Sequence, residues 1–358
     1  MFYRCKRCLV TNTRPRVTFV DGVCSGCINF DERKRINWKK RFLELRKVCN
    51  KIRSKKGNFD IIVPVGGGKD SSYVAWCLKN KFKMNPLGVF CEPPLMTELG
   101  KKNLLNFESS GFSVLRIASE KKDKKINKLM FKKYGFPQYT WLSAIKIAPI
   151  KVALAMNIKC IMWGEEGESM YGGLNKNRNK MKFNAELIKK YYQENIPIKK
   201  FFSDHDLFWQ QLTKLEVKLS KKIYTCNWSY FEKWDENMHL KVAKKYCGLK
   251  EATGKEQNAI NKHSHTDQKM FSLHMYLAYL KYGFSRATSD TSIEIRHKRM
   301  TREAGMKIVK KLDSVFPSEY LNDYYNYFSM SRKEFFSTLK KFKNKLIFNN
   351  KTKKLMFV

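Results

Sequence analysis

The chain has 358 residues with 72 Lys and Arg against 32 Asp and Glu, which gives a formal net charge of +40. Hydrophobic residues make up 43%, so an ordinary core can form, and no apolar run approaches the ~20 residues of a membrane span. The start of the chain also lacks the apolar segment of a signal peptide. We therefore expect a cytoplasmic protein that does not enter the membrane, with an anionic partner such as a nucleic acid, a nucleotide-sugar or an acidic protein.

Two C-x2-C pairs stand near the N-terminus, fifteen residues apart. They comprise Cys5, Cys8, Cys24 and Cys27. This spacing is typical of a four-thiolate zinc site. Because protein sulfur atoms would fill all four coordination positions, the predicted zinc ion is structural rather than catalytic. We assign residues 1–35 to this zinc ribbon.

A phosphate-binding loop is predicted after residue 60. The apolar run at 61–65 is typical of a buried parallel strand, glycines follow at 66–68, and a helix with Ser or Asp near its start comes next. Backbone N–H groups of a glycine turn and the positive end of a helix together bind phosphate. The spacing excludes both the G-x-x-x-x-G-K-[ST] nucleotide loop and the G-x-G-x-x-G dinucleotide fingerprint.

Further strands are predicted over 86–91, 112–117 and 159–164, with helices between them. This alternation indicates an α/β fold with a doubly wound parallel sheet, which we assign to residues 36–205, followed by a mostly helical part over 206–358. Ligands of such sheets bind beyond the carboxyl ends of the strands. The predicted rim therefore joins the 66–72 loop with Glu92 and with the Gly164-Glu165-Glu166 turn. Its carboxylates could hold Mg²⁺, orient an amine or bind ribose hydroxyls.

The helical part contains three arginines, Arg286, Arg296 and Arg302, that we expect to converge on an anion. A guanidinium group can grip a phosphate or carboxylate with two parallel hydrogen bonds. For each arginine taken alone, the alternative is a solvated surface position.

The glycine loop resembles the S-G-G-x-D-S loop of the PP-loop ATP pyrophosphatase superfamily. Gly67, Gly68, Asp70 and Ser71 match the motif, whereas Gly66 replaces its usual serine and so removes one hydroxyl donor to phosphate. The resemblance implies that the loop grips the pyrophosphate of ATP while the α-phosphate is transferred to a substrate oxygen.

A closer resemblance rests on several further segments. They are the cysteine ribbon, Gly164-Glu165 with Tyr171-Gly172-Gly173, Tyr230…Trp234-Asp235…His239, Tyr282-Gly283-Phe284-x-Arg286, Glu294-Ile295-Arg296 and Thr301-Arg302-Glu303. With them, residues 3–315 or so resemble the N-acetyl sugar amidotransferases of bacterial O-antigen (lipopolysaccharide) and flagellin-sugar pathways, the latter including pseudaminic acid. The 165–167 turn departs from the family's usual Glu-Asn-Pro, which bears on substrate choice.

This resemblance implies that an acetamido oxygen is replaced by nitrogen in an ATP-dependent reaction that forms AMP and pyrophosphate. Lys69, Asp70 and Ser71 are the implied catalytic residues: Lys69 stabilises the departing pyrophosphate, Asp70 holds Mg²⁺ or positions the loop, and Ser71 donates to phosphate. The implied ATP-binding residues are Gly66, Gly67, Gly68, Ser72, Glu92 and Gly164. The implied substrate-binding residues are Glu165, Tyr171, Gly172, Arg286, Glu294, Arg296 and Arg302.

The expected ligands are ATP, Mg²⁺, structural Zn²⁺ and an acidic amino-sugar or nucleotide-sugar. A glutaminase subunit related to that of imidazole-glycerol-phosphate synthase is the expected source of ammonia. The alternative is a PP-loop tRNA-modifying enzyme of the thiolase or lysidine type, which the zinc ribbon and the positive charge also fit. We do not favour nucleic acid, because the α/β part lacks a cysteine pair at the spacing that a thiolase uses. A third hypothesis is an ATP-binding regulatory module with an inactive loop, suggested by Gly66.

Overall fold

A computed structural model gives the structure of the chain. It describes residues 1–54, 57–164, 167–174, 181, 187–253, 258–264, 266–349 and 355–356. The strands of the described residues are β1 (Phe19–Val20), β2 (Val23–Cys24), β3 (Ile61–Pro64), β4 (Pro86–Cys91), β5 (Ser113–Ile117), β6 (Cys160–Trp163) and β7 (Tyr224–Asn227).

Helices surround these strands and form most of the C-terminal part. In the first half of the chain they are α1 (Ser25–Arg33), α2 (Trp38–Ile52), α3 (Lys69–Asn80), α4 (Glu98–Ser109), α5 (Lys121–Tyr134), α6 (Tyr139–Ala155) and α7 (Gly167–Met170). The later helices are α8 (Lys214–Ser220), α9 (Trp228–Phe231), α10 (Glu236–Tyr246), α11 (Met270–Tyr282), α12 (Arg286–Arg296), α13 (Arg302–Leu312), α14 (Leu321–Phe328) and α15 (Arg332–Lys341). None of the helices in the described ranges combines the length and apolar character that crossing a membrane requires.

The main sheet has five parallel strands in the order β5-β4-β3-β6-β7. Ile61 and Val63 of β3 are buried in a core with α2 and α3, and Ile62 is buried on the opposite face with α6. Both faces are therefore covered, and burial of each such side chain contributes about 1.5–3 kcal/mol. The predicted doubly wound parallel sheet is confirmed.

The strand order reverses at β3, which is the first strand of this sheet in the sequence. From β3 the sheet grows through β4 on one side and through β6 on the other. In such sheets a crevice opens at the carboxyl ends of the two strands that flank the reversal. The connection after β3 is the glycine loop, and the connection after β6 begins at Gly164. The topology alone therefore brings these two predicted segments together.

The sheet extends beyond the boundary that we predicted at residue 205. Strand β7 pairs with β6 in parallel, from Cys160 opposite Tyr224 to Trp163 opposite Asn227. The segment Tyr-Thr-Cys-Asn is short and half polar, so it lacks the apolar run by which the other strands were predicted. The sequence pattern consequently missed an edge strand and ended the α/β part too early.

The N-terminal cysteine unit packs on helix α12, close to the other end of the chain. Backbone N–H of Leu9 donates to Ser292 Oγ at 3.3 Å, and Arg4 Nη1 donates to Thr288 Oγ1 at 3.3 Å. The Arg14 guanidinium adds a 2.9 Å hydrogen bond to Ser289 Oγ. The predicted ribbon is thus held by buried polar contacts to the helical part and is not a free appendage.

Candidate active site and cysteine cluster

The glycine loop adopts the conformation that its sequence requires. Gly67 has φ +70°, and a Cβ atom built there would lie 2.8 Å from the backbone nitrogen of Leu104 in α4. Only glycine avoids both the strained backbone and this overlap. Gly68 then caps α3 in extended conformation, so the first N–H groups of a twelve-residue helix open onto the loop. N–H groups arranged in this way can bind an anion.

Gly66 differs from Gly67, because a Cβ atom built on Gly66 meets nothing within 4 Å. We expect Gly66→Ser to be accommodated and to keep or raise ATP-to-AMP turnover, since the hydroxyl adds a donor beside the phosphate site. Gly67→Ala is the matched control and should lose most turnover. The measurement is AMP release with thermal unfolding as a folding check. A Gly66→Ser variant with weaker ATP binding would show that the loop residues are misaligned with the superfamily motif.

The start of α3 carries a partly buried network of charges. The side-chain nitrogen of Lys69 lies 2.6 Å from Asp70 Oδ2 and 3.3 Å from Glu236 Oε2 of α10. Asp70 Oδ1 lies 2.9 Å from His239 Nδ1, also on α10. Burial alone raises the pKa of Asp70, but the charge of Lys69 and the hydrogen bond with His239 outweigh burial and lower the pKa to about 2. Asp70 is therefore a carboxylate at neutral pH.

His239 is a site residue to which our sequence analysis assigned no role. Its side chain is fully buried, stacks on Tyr73 with ring centroids 4.2 Å apart and meets Trp234 edge-on at 4.2 Å. These rings fix the imidazole so that Nδ1 faces Asp70. The segment Trp234-Asp235…His239 was among the matching motifs and was the available signal. Asp235 caps α10 by accepting from the Asn237 N–H at 3.0 Å, which sets the helix start that places His239.

The loop forms one wall of a cavity of about 370 Å³. The predicted site residues that line it are Gly66, Gly67, Gly68, Lys69, Asp70, Ser71, Gly164, Tyr171 and Arg286. The cavity is also lined by residues for which no site role was predicted: Trp141 and Lys146 of α6, and His263, Ser264, Thr266 and Asp267 before α11. A volume near the lower end of ligand pockets, ~300–1,000 Å³, suits one nucleotide or part of a larger ligand.

Arg286 is the one predicted arginine that lines this cavity. It is paired with Asp290 one helical turn later, Nε to Oδ1 at 2.6 Å, and its Nη2 lies 3.3 Å from Ser264 Oγ. Burial disfavours the charge of Arg286, but Asp290 outweighs it, so that the pKa of Arg286 is raised. The guanidinium is thus a fixed cation in the cavity wall.

The other predicted residues lie elsewhere. Ser72 is buried beneath the loop with 1% of its surface exposed. Glu92 accepts from the Ser119 N–H and lines a separate small cavity beyond β4. Gly172 lies against Gly26, and Glu294 pairs with Arg299. The other two arginines bond to backbone carbonyl groups: Arg296 donates to that of Met170, and Arg302 donates to that of Cys5. The expected convergence of three arginines is therefore not what the structure shows. Glu165 and Glu166 lie outside the described residues.

The four predicted cysteines form a compact buried cluster. Their sulfur atoms all lie within 4.8 Å of one another, with 3.9 Å between Cys5 and Cys27 and 3.6 Å between Cys8 and Cys24. Four sulfurs at the zinc–sulfur distance of ~2.3 Å around a tetrahedral ion are about 3.8 Å apart. The N–H groups of Arg7, Cys8 and Cys24 point to Cys5 Sγ at 3.4, 3.5 and 3.3 Å. The donor set and its spacing fit a tetrahedral metal ion.

The contacts beside the loop support a divalent cation less directly than the four sulfur atoms support a metal ion at the cysteine cluster. Both oxygens of Asp70 already have partners, His239 and Lys69. Glu236 faces the same ammonium group, so two carboxylates surround one lysine. A nucleotide-bound Mg²⁺ could contact Asp70 or Glu236 only if Lys69 turned toward the phosphates, which its flexible stem allows.

Residues 241–358, about a third of the chain, match the family model described as "LPS biosynthesis protein WbpG-like, C-terminal domain". This match confirms, for that part of the chain, the predicted resemblance to a family of lipopolysaccharide biosynthesis. An uncharacterized protein of Methanocaldococcus jannaschii is 28% identical over 105 residues, which span 29% of this chain and 38% of that protein. The match thus covers well under half of the length of this relative.

Solved structures that are similar to this chain include a U34-tRNA thiolase, NcsA, from Methanococcus maripaludis. It is 13% identical, with a TM-score of 0.36 over 76% of this chain and 78% of the thiolase. An NH3-dependent NAD synthetase from Campylobacter jejuni is 15% identical, with a TM-score of 0.29 over 52% of this chain and 93% of the synthetase. Likeness at this level says nothing about substrate.

Proposed function

We propose that this chain, whose C-terminal third resembles WbpG-like lipopolysaccharide biosynthesis proteins, is an ATP-dependent amidotransferase. It converts an acetamido group of a free or nucleotide-linked sugar acid into an acetamidino group. The reaction belongs to the biosynthesis of a surface polysaccharide or of a flagellin glycan.

One observation carries this proposal. The cavity at the glycine loop is also lined by residues of the part that matches the lipopolysaccharide family model, namely His263, Ser264, Thr266, Asp267 and Arg286. The glycine loop therefore shares one cavity with residues of the part that matches the lipopolysaccharide family model. In an adenylating enzyme, the nucleotide and the acceptor must meet in this way.

The chemistry requires activation because an amide carbonyl is a poor electrophile and its oxygen is a poor leaving group. In the proposed first step the amide oxygen attacks the α-phosphorus of ATP, and the bond to pyrophosphate breaks. Lys69 and the loop N–H groups stabilise the charge that develops on pyrophosphate. Ammonia then adds to the activated carbon, AMP leaves, and loss of a proton gives the acetamidino group. Arg286 and Lys146, which line the cavity, would hold the anionic acceptor.

We propose that ammonia comes from a separate glutaminase subunit of the imidazole-glycerol-phosphate synthase type. We also propose that Cys5, Cys8, Cys24 and Cys27 hold a structural zinc ion, which would neutralise thiolates that cannot be buried together as free anions. Asp70 and Glu236 are the residues that would contact Mg²⁺ bound to ATP. Metal analysis of the purified protein separates zinc from iron at the cysteine cluster.

The test of the proposed function is AMP formation from ATP in the presence of ammonium. We expect stimulation by an acetamido sugar acid, free or nucleotide-linked, and none by bulk tRNA. A nucleotide-sugar carries few negative charges, so its affinity should fall only mildly as the salt concentration rises. The affinity of a tRNA held through six or more phosphates would fall ~10³-fold or more between low and moderate salt. Stimulation by tRNA and not by the sugar would replace the proposal with a tRNA-modifying function.

Arg286→Lys provides the second test of this site. Lysine keeps the charge opposite Asp290, so the buried carboxylate stays paired, but the planar fork is lost. We expect the KM for the sugar acid to rise roughly tenfold, as one good charge-assisted hydrogen bond is removed. Arg299→Lys is the control, because Arg299 pairs with Glu294 away from the cavity. Equal KM values for the two variants would remove Arg286 from the acceptor site.

A further inference from the structure

A second cavity, of about 320 Å³, lies between helix α1, the Lys233-Trp234 segment and helix α12. Four cations line it: Arg33, Lys34, Lys233 and Arg296. Lys34 is also paired with Asp31, and Arg296 lies beside the cysteine cluster. Its described lining contains no Asp or Glu. In a concave site of one sign, the low-dielectric walls focus the field and raise the local concentration of anions. The charge of this cavity therefore favours an anionic ligand.

Aromatic rings make up much of the remaining wall. Phe30, Trp38 and Trp234 line the cavity from three different segments. The Arg33 guanidinium lies 4.9 Å from the centroid of Trp38 and donates to the Ser229 carbonyl at 2.7 Å, which holds the cation and the ring together. Aromatic faces beside fixed cations are the means by which proteins bind nucleotide bases and their phosphates together.

Two buried donors in this wall have no partner among the described residues. They are Trp234 Nε1 and Arg296 Nε, on side chains that are 3% and 8% exposed. An unsatisfied buried donor costs about 1–3 kcal/mol, so native proteins rarely leave one without a bonded water or ligand. Both groups can only donate. They therefore call for acceptor atoms, which the carbonyls of a base or the oxygens of a phosphate provide.

The second cavity adjoins the loop cavity but is separated from it by Trp234. A Cβ atom built on Gly164, which lines the loop cavity, would lie 2.9 Å from Trp234 Cη2. Met170 lines the second cavity while its neighbour Tyr171 lines the first. The two spaces are thus distinct sites on opposite sides of one thin wall.

We propose that the second cavity is a binding site for a nucleotide other than the ATP at the loop, with its base among the aromatic rings and its phosphates on the cations. The volume suits one nucleotide rather than a dinucleotide. Acceptor atoms of the ligand would satisfy the two unpartnered donors. The site does not depend on which reaction the loop cavity performs.

The experiment measures binding of UDP to the full chain by calorimetry while a non-hydrolysable ATP analogue saturates the loop cavity. UDP is the probe because it combines a flat base with carbonyl acceptors and a diphosphate. We expect one equivalent of UDP to bind in addition to the ATP analogue. Trp38→Ala should weaken it at least fivefold, because stacking on one ring contributes ~1–3 kcal/mol. Lys233→Ala should weaken it several-fold and make binding less sensitive to salt.

Lys39→Ala is the matched control, since Lys39 is an exposed neighbour of Trp38 that does not line the cavity. It should leave UDP binding unchanged. Circular dichroism and metal content must match the unmodified protein in each variant. Three results would overturn the proposal. The first is that UDP fails to bind to the protein that is saturated with the ATP analogue; the second is that the Trp38→Ala variant binds UDP as tightly as the unmodified protein does; the third is that inorganic phosphate binds as tightly as UDP. The first rejects the site, and the others reject a nucleotide as its ligand.

Discussion

Asp70→Asn should lower AMP formation at least a hundredfold while the fold is retained. Asn has nearly the same size, so packing at the start of α3 is preserved and only the charge is removed. The carboxylate of Asp70 fixes Lys69 through Oδ2 and His239 through Oδ1. Without that charge, Lys69 loses its ion pair with Asp70 while the one with Glu236 remains, and the electrostatic arrangement at the glycine loop is changed. Loss of one such preorganised group typically costs 10²–10³ in rate.

The measurement is single-turnover conversion of ATP to AMP at saturating acetamido sugar acid. Asp204→Asn serves as the control, because Asp204 is 71% exposed and pairs with Lys199 at the surface. It should be indistinguishable from the unmodified protein. Near-normal AMP formation by folded Asp70→Asn would mean that Asp70 has no part in the chemistry. The same outcome would mean that the loop only binds its ligand and takes no part in the reaction.

Cys24→Ser is expected to release the metal ion and to lower the free energy of unfolding by several kcal/mol. Cys24 ends β2 and lies 3.6 Å from Cys8 in the sulfur cluster. Structural zinc contributes to folding directly, with apparent binding free energies of ~10–16 kcal/mol in small zinc domains. The loss should be smaller here, because hydrogen bonds and packing against α12 also hold the cysteine unit.

Metal content by mass spectrometry and the urea midpoint of unfolding measure the two effects. Cys77→Ser is the informative control: Cys77 is buried in α3 among core residues and belongs to no metal-binding group of the described residues. It should keep the full metal content even if it unfolds earlier. A Cys24→Ser protein with unchanged metal content, or an unmodified protein with four titratable thiols and no metal, would disprove the metal site.

The elements that the sequence predicted share a strong local signal. Strand β3, the glycine turn and the start of α3 are adjacent in the chain, and each needs only its own residues to be recognised. The four cysteines likewise define their cluster by spacing. The conformation of Gly67 follows the same logic, although its close approach to Leu104 depends on α4, which lies thirty-odd residues later.

What the sequence did not predict depends on contacts between distant segments. Arg286, Arg296 and Arg302 follow one another within two helices, which suggested one anion site. Their side chains point in different directions around α12 and α13, so two of them contact Met170 and Cys5 instead. His239 shows the reverse case, because its role appears only when α10 packs on α3 and brings the imidazole to Asp70.

The contact between the cysteine unit and α12 has a consequence for how the protein is made. Arg4 and Thr288 are 284 residues apart, and a ribosome adds roughly 5–20 residues per second. The cysteine unit therefore leaves the ribosome about 15 to 60 s before the helix against which it packs. During that interval its four thiols lack the cover that α12 later provides. A metal ion captured early in synthesis would protect them from oxidation until the last third of the chain arrives.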